Sequence, residues 1–279
     1  MSSTSRRSRA SRAAAGTGRL PAFRARRRSR RSPPSSGANS RPRRWRMPPR
    51  ALSPAGIVLV DKPAGPSSFA LVAELRSRTG ARTGHAGTLD PFATGLLVLL
   101  SGAATKLAPC FVGLDKRYVT EVDLTARTST GDPEGEVLEE RRPPQRDELE
   151  RRLAGLRGNV ELPIPAASAV KIGGERAYKL ARRGVAVEMP LRSSRVDALD
   201  VIAYTGQTVM LDLRVSSGTY VRAIAEALGG HCRTLRRTEV GPFSVEEADP
   251  ERIIPVPDAL SRLPEEALAK VPERMRERA

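Results

Sequence analysis

"RVDALDVIAYTGQTVMLDLRV" fills Arg195 to Val215. Two apolar-rich runs, Arg195–Ala203 and Thr208–Val215, flank a polar step around Gly206. In the second run Val209, Leu211, Leu213 and Val215 take every second position, which puts them on one face of a strand. A glycine between two such runs supplies the turn. The stretch reads as a hairpin with one buried face.

Further strands lie outside it. "KRYVTEVDL" (Lys116–Leu124) alternates as well, with Tyr118, Thr120, Val122 and Leu124 on one side. "IVLVDKP" (Ile57–Pro63) and "GLLVLLSG" (Gly95–Gly102) are short, unbroken apolar runs of the kind that form buried strands. Helices are fewer. "SSFALVAELRSRTG" (Ser67–Gly80) predicts one, capped by Ser67 or Ser68 and ended by Gly80, with Phe69, Val72 and Leu75 on a shared face. A short helix broken near Pro109 and a polar helix over Gln145–Leu153 follow. "SAVKIGGERAYKLARRG" (Ser168–Gly184) reads as strand, Gly-Gly turn and basic helix. "SGTYVRAIAEALGG" (Ser217–Gly230) reads as a helix with a Thr219 cap and a Gly229 stop. Strands outnumber helices and no regular βαβ alternation exists. The fold class is therefore α+β, with a mixed, mostly antiparallel sheet and flanking helices.

The chain has 279 residues and a net charge of +17. That charge is unevenly placed. Residues 1–50 hold 16 Arg and no Lys, Asp or Glu, which leaves 32 basic against 31 acidic residues in 51–279. A body so nearly neutral must bind RNA, if at all, through a local patch. The Arg/Ser/Ala/Pro-rich leader has no apolar period and reads as disordered. A dispensable arm, or a start of translation at Met47, is the preferred account of it; a transit peptide is the competing one. No run of 18 apolar residues occurs that could span a membrane as a helix. Two cysteines and two histidines make neither a disulfide framework nor a zinc site, and a reduced, cytosol-like compartment fits them. Nucleotide-binding glycine motifs and a GxSxG elbow are missing.

"GHAGTLDPFATGLLVLLSG" (Gly84–Gly102) sets one carboxylate, Asp90, directly before a buried strand. An Asp before Pro is ordinarily a turn residue. Here Gly84, Gly87 and Gly95 would let a ligand approach the backbone, and a carboxylate beside such a core needs a partner or a purpose. Arg222 is a candidate partner, against a plain surface pair with Glu226 four residues on. Tyr118 is otherwise a core tyrosine with a bonded hydroxyl.

Seven segments carry a further signal: "VDKPAGPSSF", "GHAGTLDPFATGLLVLLSGAATK", "DKRYV", "TSTGDPEGEV", "SAVKIGGERAYKLARRG", "SSGTYVRAIAEALG" and "LRRTEVGPF". In this order, from Ile57 to Phe243, they resemble the TruB family of tRNA pseudouridine-55 synthases. The resemblance implies the pseudouridine synthase catalytic fold with a central RNA-binding cleft. It implies isomerisation of one T-loop uridine in tRNA, without cofactor or metal. Asp90 would match the catalytic aspartate, Tyr118 the tyrosine that stacks on the flipped uracil, and Arg222 the arginine paired with the aspartate. His85, Lys62, Tyr220 and Leu235 would belong to the substrate-binding surroundings: a loop histidine, a lysine supporting the active-site strand, a neighbour of the ion pair and an apolar wall. Arg176, Lys179, Arg182 and Arg183 of the basic helix would form a phosphate-binding patch.

The expected partner is the tRNA T-arm stem-loop, met by a cytoplasmic monomer with no obligate protein partner. The alternative is an RNA-binding or tRNA-folding factor in which catalysis is secondary or absent. The expected organisation is a leader (1–50), a catalytic domain (51–250) and a short tail (251–279) with no full PUA-like RNA-binding domain. Ala167 stands where many members carry an aromatic residue; the expected effect is on packing, with no contact to a catalytic position.

Overall fold

The structure, a computed structural model, describes residues 55–276 except 184 and 186; the leader and Met47 lie outside the described residues. Thirteen strands are β1 (Gly56–Lys62), β2 (Thr83–Ala86), β3 (Thr94–Ser101), β4 (Lys116–Asp123), β5 (Ala126–Thr128), β6 (Val137–Glu140), β7 (Gly158–Pro163), β8 (Lys171–Ile172), β9 (Glu175–Arg176), β10 (Leu191–Tyr204), β11 (Thr208–Val215), β12 (His231–Val240) and β13 (Phe243–Ser244). Nine of them form one sheet in the order β1-β3-β12-β4-β11-β10-β7, with β2 on β3 and β13 on β12. Only the β3–β12 contact is parallel. The sheet is thus mixed and mostly antiparallel, as expected.

The opening hairpin is β10–β11, with Leu199 opposite Leu213 and Val201 opposite Leu211. Gly206 turns it at φ 92°. Val209, Leu211, Leu213 and Val215 are all fully buried. Their core takes in one face of β4 and helices α3 (Arg146–Gly155) and α5 (Val221–Leu228). A second core joins β1, β3 and the Gly102–Val112 segment to the C-terminal helices.

Helix α1 (Ser68–Thr79) starts at Ser67, whose hydroxyl accepts from Ala70 N, and ends at the left-handed Gly80. Its inner face differs from the expected one. Ser68, Leu71, Val72 and Leu75 are buried, spaced i, i+3, i+4, i+7, while Phe69 is exposed. The stripe turns towards Ser68 because that hydroxyl is bonded to the Leu89 backbone. α5 also starts later than expected. Tyr220 is its N-cap, so Thr219 does not cap it, whereas Gly229 stops it at φ 98°.

Past residue 250 the chain stays within the second core. Ile57 and Ile254 exchange backbone hydrogen bonds of 2.9 and 2.8 Å. Leu260, Leu263, Ala267 and Val271 are buried there. Among the described residues no helix is long and apolar enough to cross a membrane. Cys110 and Cys232 are both buried.

Candidate active site

The β2–β3 connection, Gly87–Ala93, carries no regular structure, yet buried side chains hold its backbone at several points. Ser68 Oγ accepts from Leu89 N at 2.8 Å and donates to Leu89 O at 3.0 Å. Lys62 Nζ donates to Pro91 O at 3.0 Å, Ala93 O at 2.6 Å and Pro63 O at 2.9 Å. Arg237 Nη2 donates to Gly87 O at 3.0 Å, and its Nε to Leu96 O at 2.7 Å. Buried carbonyls demand donors and buried cations demand acceptors, so each group satisfies the other. These bonds hold the loop backbone on both sides of Asp90.

The side chain of Asp90 is one-third exposed, and its Oδ2 accepts from Nε of Arg222 at 2.9 Å. Arg222 itself is almost wholly buried. Its Nη1 donates to Thr130 O at 2.6 Å and its Nη2 to Ala167 O at 3.0 Å. Asp132 Oδ2 stands 3.8 Å from Nη1. One guanidinium thus ties together three loops far apart in sequence, which its planar fork of donors allows. Its ion pairs go to Asp90 and Asp132 and not to Glu226. Burial raises the Glu226 carboxyl pKa above the ordinary carboxylate range.

Above this pair lies a cleft of about 450 Å³, within the usual range for small-molecule sites. Asp90, Tyr118, Tyr220, Arg222 and Leu235 all line it. Asp90 is the single carboxylate among the described lining residues. Tyr118 sits mid-sheet, opposite Leu213 on one side and Arg237 on the other. Its ring is nearly buried, but its hydroxyl has no partner among the described residues, so it is not a satisfied core tyrosine.

Other expected site residues stand elsewhere. Lys62, expected in the substrate-binding surroundings, is fully buried and does not line the cleft; its ammonium is committed to the loop from behind. Burial lowers its pKa to about 8, against the opposing pull of Asp90. His85 lies on β2 opposite Leu99, outside the cleft lining, with Nδ1 buried and unpartnered among the described residues. Burial, then the charge of Arg237, lowers its pKa.

Arg176, Lys179 and Arg183 are exposed on and beside the basic helix α4 (Ala177–Arg182); the side chain of Arg182 lies outside the described residues. Arg183 pairs with Glu175 at 2.7 Å. From the same helix Tyr178 lines the cleft. Ala167 lines it too and, contrary to expectation, touches Arg222 through its carbonyl.

Gly95 has a different role from the one expected. Its φ is 102°, and a Cβ there would overlap the backbone of Arg237, so it admits strand β12 and not a ligand. Gly87 also has positive φ, at 91°, whereas Gly84 has open space around it. Among the described residues no group of His, Cys, Asp and Glu is placed to hold a metal ion. Cys232 is no nucleophile: burial pushes its thiol up to about 12.

A guanidinium-paired carboxylate that shares a mostly apolar cleft with an aromatic ring suits covalent or acid–base chemistry on a planar substrate. The comparisons with known proteins narrow that class. The model of the TruB family pseudouridylate synthase N-terminal domain matches residues 76–221, just over half of the chain. The tRNA pseudouridine synthase B of Mycobacterium avium (strain 104) is 44% identical over 210 residues, covering 71% of this chain and 68% of that protein. The same-named protein of Mycobacterium sp. (strain KMS) is 41% identical over 233 residues, covering 78% of each. Among solved structures, a chain of a Cbf5–Nop10–Gar1 complex is 26% identical with a TM-score of 0.52; the match covers 68% of this chain and half of that one. The chain belongs to the TruB family of pseudouridylate synthases.

Proposed function

We propose that this protein isomerises uridine to pseudouridine in tRNA, at the T-loop uridine. The reading is supported by the family and by the relatives named tRNA pseudouridine synthase B. One observation carries the chemistry: among the described residues the cleft offers a single carboxylate, held by a buried arginine. The N1–C1′ bond of the target nucleotide breaks, the uracil turns within the site, and C5 bonds to C1′. The proton leaves C5 and N1 regains one, so no atom is gained or lost.

Asp90 is the group acting on the ribose or the base. Arg222 pairs with it at 2.9 Å and fixes its position, as attack or proton transfer requires. A base within a folded loop must be extruded to reach such a carboxylate. Tyr118 replaces the stacking it loses, and Leu235 and Tyr220 wall the pocket. The protein acts as a cytoplasmic monomer, and the exposed Arg176, Lys179 and Arg183 add contacts to phosphates.

Unmodified tRNA incubated with wild type and with Asp90→Asn tests this, with pseudouridine mapped by chemical blocking and primer extension. Wild type modifies the T-loop uridine and Asp90→Asn binds the tRNA without modifying it. An inactive wild type would overturn the proposed reaction; a fully active Asp90→Asn would overturn the role of Asp90.

A further inference from the structure

Besides Asp90 and its neighbours, the cleft is lined by Val112, Lys116, Arg192, Ser217, Gly218 and Thr219. This part of the lining is cationic. Lys116 is buried, and its ammonium donates to Val112 O at 2.6 Å, to Leu114 O, and to Ser217 Oγ at 3.3 Å. These partners are neutral oxygens. Arg237, fully buried beside it, is likewise bonded to backbone carbonyls alone. Neither cation makes a carboxylate contact among the described residues. Burial first, and then the charge of Arg237, pulls the Lys116 pKa down to about 8.

Arg192 lines the same cleft. It lies near the start of β10 and is exposed, and its side chain makes neither a hydrogen bond nor an ion pair among the described residues. Its guanidinium lies against Gly218, whose φ is 82°; a Cβ there would overlap it and push it aside. The glycine therefore leaves room for the guanidinium in this position. Asp90, the single carboxylate among the described lining residues, is already paired with Arg222. An anion is wanted here, and a nucleotide whose base reaches Asp90 brings one on each side of its ribose.

We propose that the Arg192–Gly218 part of the cleft binds a phosphodiester flanking the target uridine, an assignment that rests on the function proposed above. Arg192 makes the direct contact, since the Lys116 donors are taken. Lys116 and Arg237 act as fixed, buried positive charge in the same cleft, little screened by salt.

The test uses a T-arm stem-loop in three forms: natural, and with an uncharged methylphosphonate at the linkage 5′ or 3′ of the target uridine. Binding is measured for wild type, Arg192→Ala and Gly218→Ala across a salt series. On natural RNA, Arg192→Ala weakens binding about tenfold and lowers the salt slope by about one. On one of the two methylphosphonate RNAs the same substitution costs less than about twofold, because the contact is already gone. Gly218→Ala, which displaces the guanidinium but keeps its charge, shows the same loss of coupling. An Arg192→Ala effect that is absent, or equal on all three RNAs, overturns the proposal. Wild-type conversion of the natural stem-loop, measured alongside, separates the two readings: if wild type converts the RNA and Arg192 is uncoupled, only this assignment falls.

Discussion

Nε of Arg222 lies 2.9 Å from Oδ2 of Asp90, although 132 residues separate them in the chain. The arginine is held by a helix and the aspartate by a loop. What fixes their distance is the packing of α5 against the sheet and the clamps on the Gly87–Ala93 backbone. The ion pair is therefore a readout of the fold as well as part of the site.

Removing the arginine should cost both stability and rate. In Arg222→Met the buried Asp132 carboxylate faces no guanidinium, and the Thr130 and Ala167 carbonyls lose their donor. We expect a loss of about 3–5 kcal/mol in urea unfolding. Arg222→Lys keeps the charge but cannot span Asp90, Thr130 O and Ala167 O together. It should fold, bind tRNA within a few-fold of wild type, and turn over at least ~100-fold more slowly in single-turnover assays.

Two glycines on the paired strands β2 and β3 should respond differently. Gly95→Ala demands an alanine at φ 102° and drives its methyl into the β12 backbone, at a cost of about 2–5 kcal/mol. Gly84→Ala meets open space and should change stability by less than about 0.5 kcal/mol. Thermal unfolding of the two variants checks this, and equal losses would refute the packing role of Gly95.

Gly95 also shows what local sequence can and cannot tell. The hairpin, the β4 alternation and the exposed carboxylate before a buried strand are periodic or local signals, and they were legible. The crossing of β12 over Gly95 is not local. β12 itself lacks a readable period: its buried residues Cys232, Leu235, Arg237 and Val240 are unevenly spaced because two register shifts interrupt its pairing with β4. An arginine in such a run reads as solvent-facing, and only the Leu96 and Gly87 carbonyls show why Arg237 is inside. Ser68 reads as a helix cap and Asp132 as a turn residue for a related reason: such residues have an ordinary local use, and their bonds to Leu89 and Arg222 are set by tertiary packing. Asp90 and Arg222 could be matched from the family motifs, but the loops that meet at Arg222 are set by tertiary packing.

Lys62 predicts a pH dependence. Folding lowers its pKa from 10.5 to about 8, chiefly by burial. Between those values the unfolded chain binds the proton more tightly than the native one, so the stability contribution rises with pH across this window and is lowest below it. Lys62→Met removes that group. The difference between wild-type and variant unfolding free energies should therefore grow in favour of wild type from pH 8 to 10, at up to about 1.4 kcal/mol per unit. Parallel stability curves in urea over this range would refute the assignment.

Tyr118 separates stacking from chemistry. The ring is packed into the centre of the sheet while the hydroxyl is left without a partner among the described residues, so the two halves of the side chain can be tested apart. Tyr118→Leu removes the platform and should weaken T-arm RNA binding by about 1–3 kcal/mol, which is roughly 5- to 150-fold. Tyr118→Phe keeps the platform and should bind within about twofold of wild type. If the hydroxyl helps take the proton from C5, Tyr118→Phe will release tritium from 5-tritiated uridine at least ~100-fold more slowly at unchanged affinity. Release at the wild-type rate would confine Tyr118 to stacking and leave the proton to another group in the cleft.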